Sequence, residues 1–192
     1  KAADEATPDS FERQSVINQI SHIYREAGLV NDAKGLLLAE LEKSASPYYF
    51  MSGLGSLAEK ADNFDEALAW RKRAYENSVG VATRFQWGAN YVLAMIRLAP
   101  EDHQAIAVQA SALLSEFDVP GELFAGRNFR TLKRLNENLR SWRQEQKPET
   151  LAFEPEVEKL CADQKEASLQ QQNCRSLFVE DHLVEEKVAQ AS

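Results

Sequence analysis

The sequence predicts an all-α protein, and three observations carry that reading. Ala, Leu and Glu, which favour helices, make up 68 of the 192 residues, while the β-favouring Val, Ile and Thr make up 20. Gly and Pro, the residues that interrupt regular structure, total only 14. Apolar residues recur three and four positions apart in segment after segment, the period of a helix with one buried face. At 44% hydrophobic, the chain supports one substantial core or one array of stacked units. No apolar run approaches the roughly 18 residues of a membrane span, so membrane insertion is not expected.

Nine helices follow in order. Residues 11–27 carry Val16, Ile20, Ile23 and Ala27 on one face, and 31–43 carry Leu36, Leu37 and Leu41. Pro47 opens a helix to about Ala61, since a proline at the first turn lacks only an N–H that would be unpaired anyway. Phe64 to Asn77 is next, with Asn31 and Asp65, or their neighbours, as caps for the second and fourth helices. Gly80 precedes Val81–Leu98, and Pro100-Glu101-Asp102 opens a helix bearing Ile106, Ala110, Leu113, Leu114 and Phe117. After the break at Val119-Pro120-Gly121, Glu122 to Gln146 places Phe129, Leu132, Leu135, Leu139 and Trp142 on one side. The end reads as a hairpin: Pro155 to about Ala167, a turn over 168–173, then Cys174 to about Ala189.

Two windows superpose without a gap at an offset of 34. Ile20, Tyr24 and Ala33 of the first match Leu54, Ala58 and Ala67 of the second. Leu54-Gly55, Ala58, Phe64, Ala67 and Ala74 resemble the tetratricopeptide repeat, in which small residues let paired helices approach closely. Met51 stands where that family has Trp, and Val81, not Pro, falls near the end. Trp87-Gly88-x-x-Tyr91 starts a third unit whose next small position, at about Ala105, comes about five residues late. The resemblance implies a tetratricopeptide-like α-α superhelix of about three helix pairs over residues 1–118. The C-terminal helices, 119–192, then seal its apolar end as a cap, the two parts forming one continuous domain.

The net charge is −8, which argues against a nucleic-acid partner. Residues 127–147 nevertheless carry seven bases (Arg127, Arg130, Lys133, Arg134, Arg140, Arg143 and Lys147) against Glu137 and Glu145. That stretch is +5 and the remainder −13. Internal pairing explains it in one reading, an acidic partner in another. The chain opens on Lys1, as expected of a processed chain or a piece of a longer one.

Cys161 and Cys174 lie 13 positions apart. On one continuous helix they would be about 20 Å apart and could not bond. On two antiparallel helices folded near Ser168 they come within disulfide reach. A structural disulfide, two buried thiols and a redox-active pair are the open alternatives, although there is no Cys-x-x-Cys. A bridge points to an oxidising compartment and so to an exported setting, with a cytoplasmic one as the alternative. Leu160-Cys161, Asn173-Cys174-Arg175-x-Leu177-Phe178 and Arg84-Phe85-Gln86-Trp87-Gly88 also resemble the helical C-terminal extension of some bacterial exported thioredoxin-family proteins. That resemblance implies a periplasmic accessory module, positioning a substrate for an attached oxidoreductase. No residue here matches that family's catalytic motif.

His22, His103 and His182 are scattered, and no metal, nucleotide or nucleophile motif is present. The expectation is therefore no enzyme, no metal and no cofactor in this chain, and a protein or peptide partner. The tetratricopeptide resemblance places groove-facing positions at Asn18, His22 and Arg25 in the first unit. In the second they are Tyr49, Ser52, Ser56 and Glu59, and in the third Phe85 and Ala89, with Arg84 and Gln86 near the rim. That family's carboxylate-clamp positions hold Ser15, Gln19, Tyr49 and Gly53, so the clamp is absent. The competing reading is a structural part that dimerises through the basic helix; the oligomeric state is left open.

Overall fold

A computed structural model describes residues 10–117, 119–147 and 153–178, with side chains from Glu12 onward. Among the described residues all regular structure is helical. The helices are α1 (Ser10–Glu26), α2 (Val30–Leu41), α3 (Tyr48–Lys60), α4 (Phe64–Glu76), α5 (Val81–Leu98), α6 (His103–Leu114), α7 (Gly126–Gln146), α8 (Phe153–Ala162) and α9 (Leu169–Arg175). A 3-10 turn, Pro120–Phe124, precedes α7. The chain divides into two compact units, Lys1–Ala94 and Met95–Ser192, the division falling within α5. The boundary read from the sequence, at residue 118, lies inside the second unit.

In the first unit α1 packs on α2, α2 on α3, α3 on α4, and α1 also on α3. Three-residue connections, 27–29 and 61–63, force the chain back on itself. Gly28 takes φ 77°, a left-handed conformation that lets Leu29 N–H reach Tyr24 O at 2.8 Å and close the end of α1. Ile17, Ala33, Leu37, Phe50, Leu54 and Leu57 form the core, flanked by Tyr24, Leu36, Leu41 and Trp70. The inward face of α1 thus centres on Ile17 and Ser21, not on Ile23, which is 62% exposed, or Ala27. The α2 residues Ala33 and Leu37 meet α1 at Ile17 and so choose that face.

Gly55 sets the approach of α3 to α4. A Cβ there would stand 3.3 Å from the Ala67 carbonyl oxygen and 3.2 Å from Arg71 Nε. Ala67 and Ala74 are fully buried. Asn63, two positions before Asp65, caps α4 by accepting from Glu66 N–H, and α2 begins after Leu29 with no side-chain cap. A bidentate ion pair joins α1 to α2: Arg13 Nε and Nη2 each donate to Glu40 at 2.8 Å. Lys43 Nζ adds a third bond at 3.0 Å. The Arg13 guanidinium holds the buried Glu40 carboxyl below its usual value of 4.5, against the upward push of burial; Lys43 assists.

In the second unit Ile106, Ala110, Leu113, Leu114 and Phe117 are buried. The helix expected from Glu122 starts later, because Ala125 is extended at φ −121° and ψ 145° and separates the 3-10 turn from α7. That turn buries Leu123 and Phe124 completely. Along α7, Leu132, Leu135, Leu139 and Trp142 are buried at spacings of three and four, as the periodicity requires. Trp142 Nε1 donates to Pro100 O at 2.8 Å, and buried Asn136 donates to Leu177 O at 3.3 Å.

The C-terminal turn is displaced from its expected place. Helix α8 stops at Ala162, and 169–173, expected as turn, is helical. Ala167 takes φ 57°, and the Ser168 hydroxyl accepts from Gln171 N–H, so α9 starts at Leu169. Cys161 and Cys174 form a disulfide with a Cα–Cα distance of 5.7 Å, joining α8 to α9. Cys174 is fully buried. The remainder of the last expected helix, with His182, lies outside the described residues.

Candidate functional site

The seven groove positions expected from the sequence, His22, Arg25, Tyr49, Ser52, Ser56, Arg84 and Gln86, all lie in the first unit and fall into separate groups. His22 and Arg25 sit on α1, where the Arg25 guanidinium donates to His22 Nδ1 and to Glu26. Lys60 of α3 approaches the same Glu26 at 3.5 Å. The hydrogen bond from Arg25 and the charge of Lys60 hold the Glu26 carboxyl below its usual value. This is a solvated charge cluster bridging two helix ends.

Ser52 and Ser56 are engaged inside the helix pair. Arg71 reaches from α4 and donates to Ser52 Oγ at 2.8 Å and Ser56 Oγ at 2.9 Å. Glu59 stands 3.7 Å from the same guanidinium. Arg71 lies 34 residues after the buried Leu37, and where Leu37 packs in an apolar core Arg71 makes a polar bridge. Phe85 and Ala89, expected to face the groove, are instead fully buried. Arg84 lies over the Tyr75 ring at 4.9 Å and donates to Ser78 O at 3.4 Å; Gln86 is half-buried.

Tyr49 belongs to a cluster of rings. Pro47 precedes α3 and starts it at Tyr48, so Tyr48 and Tyr49 both stand in its first turn. The Trp87 ring lies 5.5 Å from Tyr48 and 5.3 Å from Tyr49, the latter edge-on, and the two tyrosines are 4.9 Å apart. Tyr48 donates to Ser46 Oγ at 3.1 Å. Tyr49 remains 42% exposed. The arrangement presents a rigid aromatic surface with a hydroxyl at its edge, suited to apolar and polar contact at low entropic cost. Trp87 was legible only as a repeat marker, and Tyr48 only as part of an aromatic run; neither signal located the cluster.

The second unit resolves part of the charge question. At the C-terminal half of α7, Arg140 and Arg143 both pair with Glu154 of α8, and Arg140 also donates to Leu177 O at 3.3 Å. With Gln144 they line an open cavity of about 290 Å³. Among the described residues no cluster of His, Cys, Asp and Glu could hold a metal ion, and no helix is long and apolar enough to cross a membrane. Comparison with known protein families, with curated proteins and with solved structures returns no match.

Proposed function

We propose that the chain is a non-enzymatic interaction module of tetratricopeptide type, which binds a polypeptide segment on the Tyr48, Tyr49 and Trp87 face. The carrying observation is the exposed Tyr49 ring held edge-on by Trp87 at 5.3 Å. Large aromatic residues dominate binding energy where they are rigid and accessible. The repeat reading rests on spacing: α2 and α4 begin 34 residues apart, at Val30 and Phe64, and α1 and α3 end 34 apart, at Glu26 and Lys60. Helix α6 begins 39 residues after α4, the lengthened third unit. The superhelix with a C-terminal cap belongs to the same proposal. The disulfide favours an exported, periplasmic setting over a cytoplasmic one. A module that positions substrates for an attached thioredoxin-like oxidoreductase is the second reading, favoured by the same disulfide and the same recognition face.

Panning a random peptide library on the protein and titrating the enriched peptides tests this. Peptides with aromatic or apolar anchors are expected, and Tyr49→Ala should weaken them at least tenfold, equivalent to about 1.4 kcal/mol, while the melting temperature holds. Enriched peptides that bind Tyr49→Ala as well as the parent would refute the assignment.

A further inference from the structure

We infer that the N-terminal half of α7 is a second contact surface, which docks a short carboxylate-rich polypeptide segment on Arg127 and Arg130, with Lys133 and Arg134 flanking. The helix is divided. Its inward face is spent on Leu132, Leu135, Asn136, Leu139 and Trp142. The cations of its C-terminal half have structural work, pairing with Glu154 and capping Leu177 O. Arg127 and Arg130 are exposed, and among the described residues neither makes an ion pair or hydrogen bond. Lys133 pairs, among the described residues, with Glu137 of its own helix, at 3.8 Å.

The placement is unfavourable for the chain by itself. The amino end of a helix carries partial positive charge and favours acids. The first turn of α7 holds Arg127, contains no acidic residue, and has no side-chain cap. Arg127 and Arg130, placed there, cost folding stability and are offset by no ion pair or hydrogen bond among the described residues, the pattern expected where a binding role overrides a local rule.

The charge distribution selects the occupant. Arg127 to Arg134 spans about 10 Å of helix, or two turns. A short acidic segment covers that length alone. An extended polyanion, such as nucleic acid or an anionic membrane, is disfavoured by the net charge of a chain that is −13 outside residues 127–147. The exposed neighbours on this face, Glu137, Asn138 and Ser141, offer no apolar side chain to enter a bilayer.

Fluorescence anisotropy with a labelled octaglutamate peptide and the whole chain tests the inference. A single-stranded oligonucleotide of equal charge and phosphatidylserine vesicles serve as parallel probes. The peptide should bind at about 20 mM salt and weaken at least tenfold by about 200 mM. R127E/R130E should weaken it at least tenfold, with R127Q/R130Q intermediate and the charge-matched K159E/R175E within about twofold of the parent. Both α7 variants should melt at or above the parent temperature, because they relieve the clash with the helix dipole. Absence of peptide binding at low salt would overturn the inference, as would tighter binding of the oligonucleotide or vesicles. Equal loss in K159E/R175E would reduce the effect to bulk charge, and a lowered melting point would make Arg127 and Arg130 structural.

Discussion

The two units reach stability by different routes. In the first, helix pairs close through small residues: Ala33, Ala58, Ala67, Ala74 and Gly55 allow backbones to approach, and Phe50, Leu37 and Leu54 fill the space beside them. Its polar links, Arg13–Glu40 and Arg71 with Ser52 and Ser56, tie helix to helix across the seams. In the second, α6 and the long α7 supply apolar faces, and short pieces are fastened by individual bonds. Trp142 holds Pro100 O, Asn136 holds Leu177 O, Asn173 holds Phe124 O, and a disulfide joins α8 to α9. A seven-residue helix such as α9 has no stability in isolation. Helix pairs that close through small residues are stabilised along their whole contact, whereas a cluster of short elements needs point fasteners.

Removing the staple should give the largest effect. Cys161→Ala with Cys174→Ala is expected to cost about 3 kcal/mol, from the loop of about 14 residues that the bond closes. Hydrogen exchange should locate the loss in α8, α9 and the 3-10 turn, leaving α2, α3 and α4 protected. Uniform loss over both units would contradict the contrast. Thiol titration of unreduced protein should find no free thiol, since both cysteines are paired.

The corresponding break in the first unit is Gly55→Leu. Crowding against the Ala67 carbonyl should destabilise by about 2 kcal/mol, read from denaturant midpoints, with protection lost from α3 and α4. An unchanged midpoint would mean that α3 and α4 are not in close approach.

A smaller effect sharpens the polar side of the comparison. The folded-state pKa of Glu40 is depressed, so its contribution is complete above its ordinary value of 4.5 and is lost as pH falls through the folded value. Glu40→Gln should cost about 1–2 kcal/mol at pH 7, with a shallower acid-unfolding slope below about pH 4.5 than the parent shows. Parallel slopes would assign the acid sensitivity to other carboxylates.

Much of this contrast was legible in the sequence, for reasons that differ by element. The α7 stripe and the 34-residue offset are periodic, and periodicity survives without knowledge of neighbours. The reach of Cys161 to Cys174 followed from helix geometry once a fold-back was assumed, although the turn sits at 163–168, earlier than expected. What was hidden depends on single long-range contacts. Ser52 and Ser56 read as groove-facing by repeat position, but Arg71, 15 to 19 residues on, engages them. Phe85 and Ala89 read as groove-facing by repeat position, but α5 buries Phe85, Gly88, Ala89, Val92, Ala94 and Met95, more than one stripe. The Tyr48, Tyr49 and Trp87 cluster joins residues nearly 40 apart, a distance no local pattern spans.

Recognition of a polypeptide by the first unit, as proposed, runs through that cluster. Backbone amide NMR of the protein, titrated with a peptide selected from the library, tests it most directly. The largest shift changes are expected at Tyr48, Tyr49, Gln86 and Trp87, with their loss in Tyr49→Ala. Shift changes confined to Met95–Ser192, or unaltered by Tyr49→Ala, would contradict it.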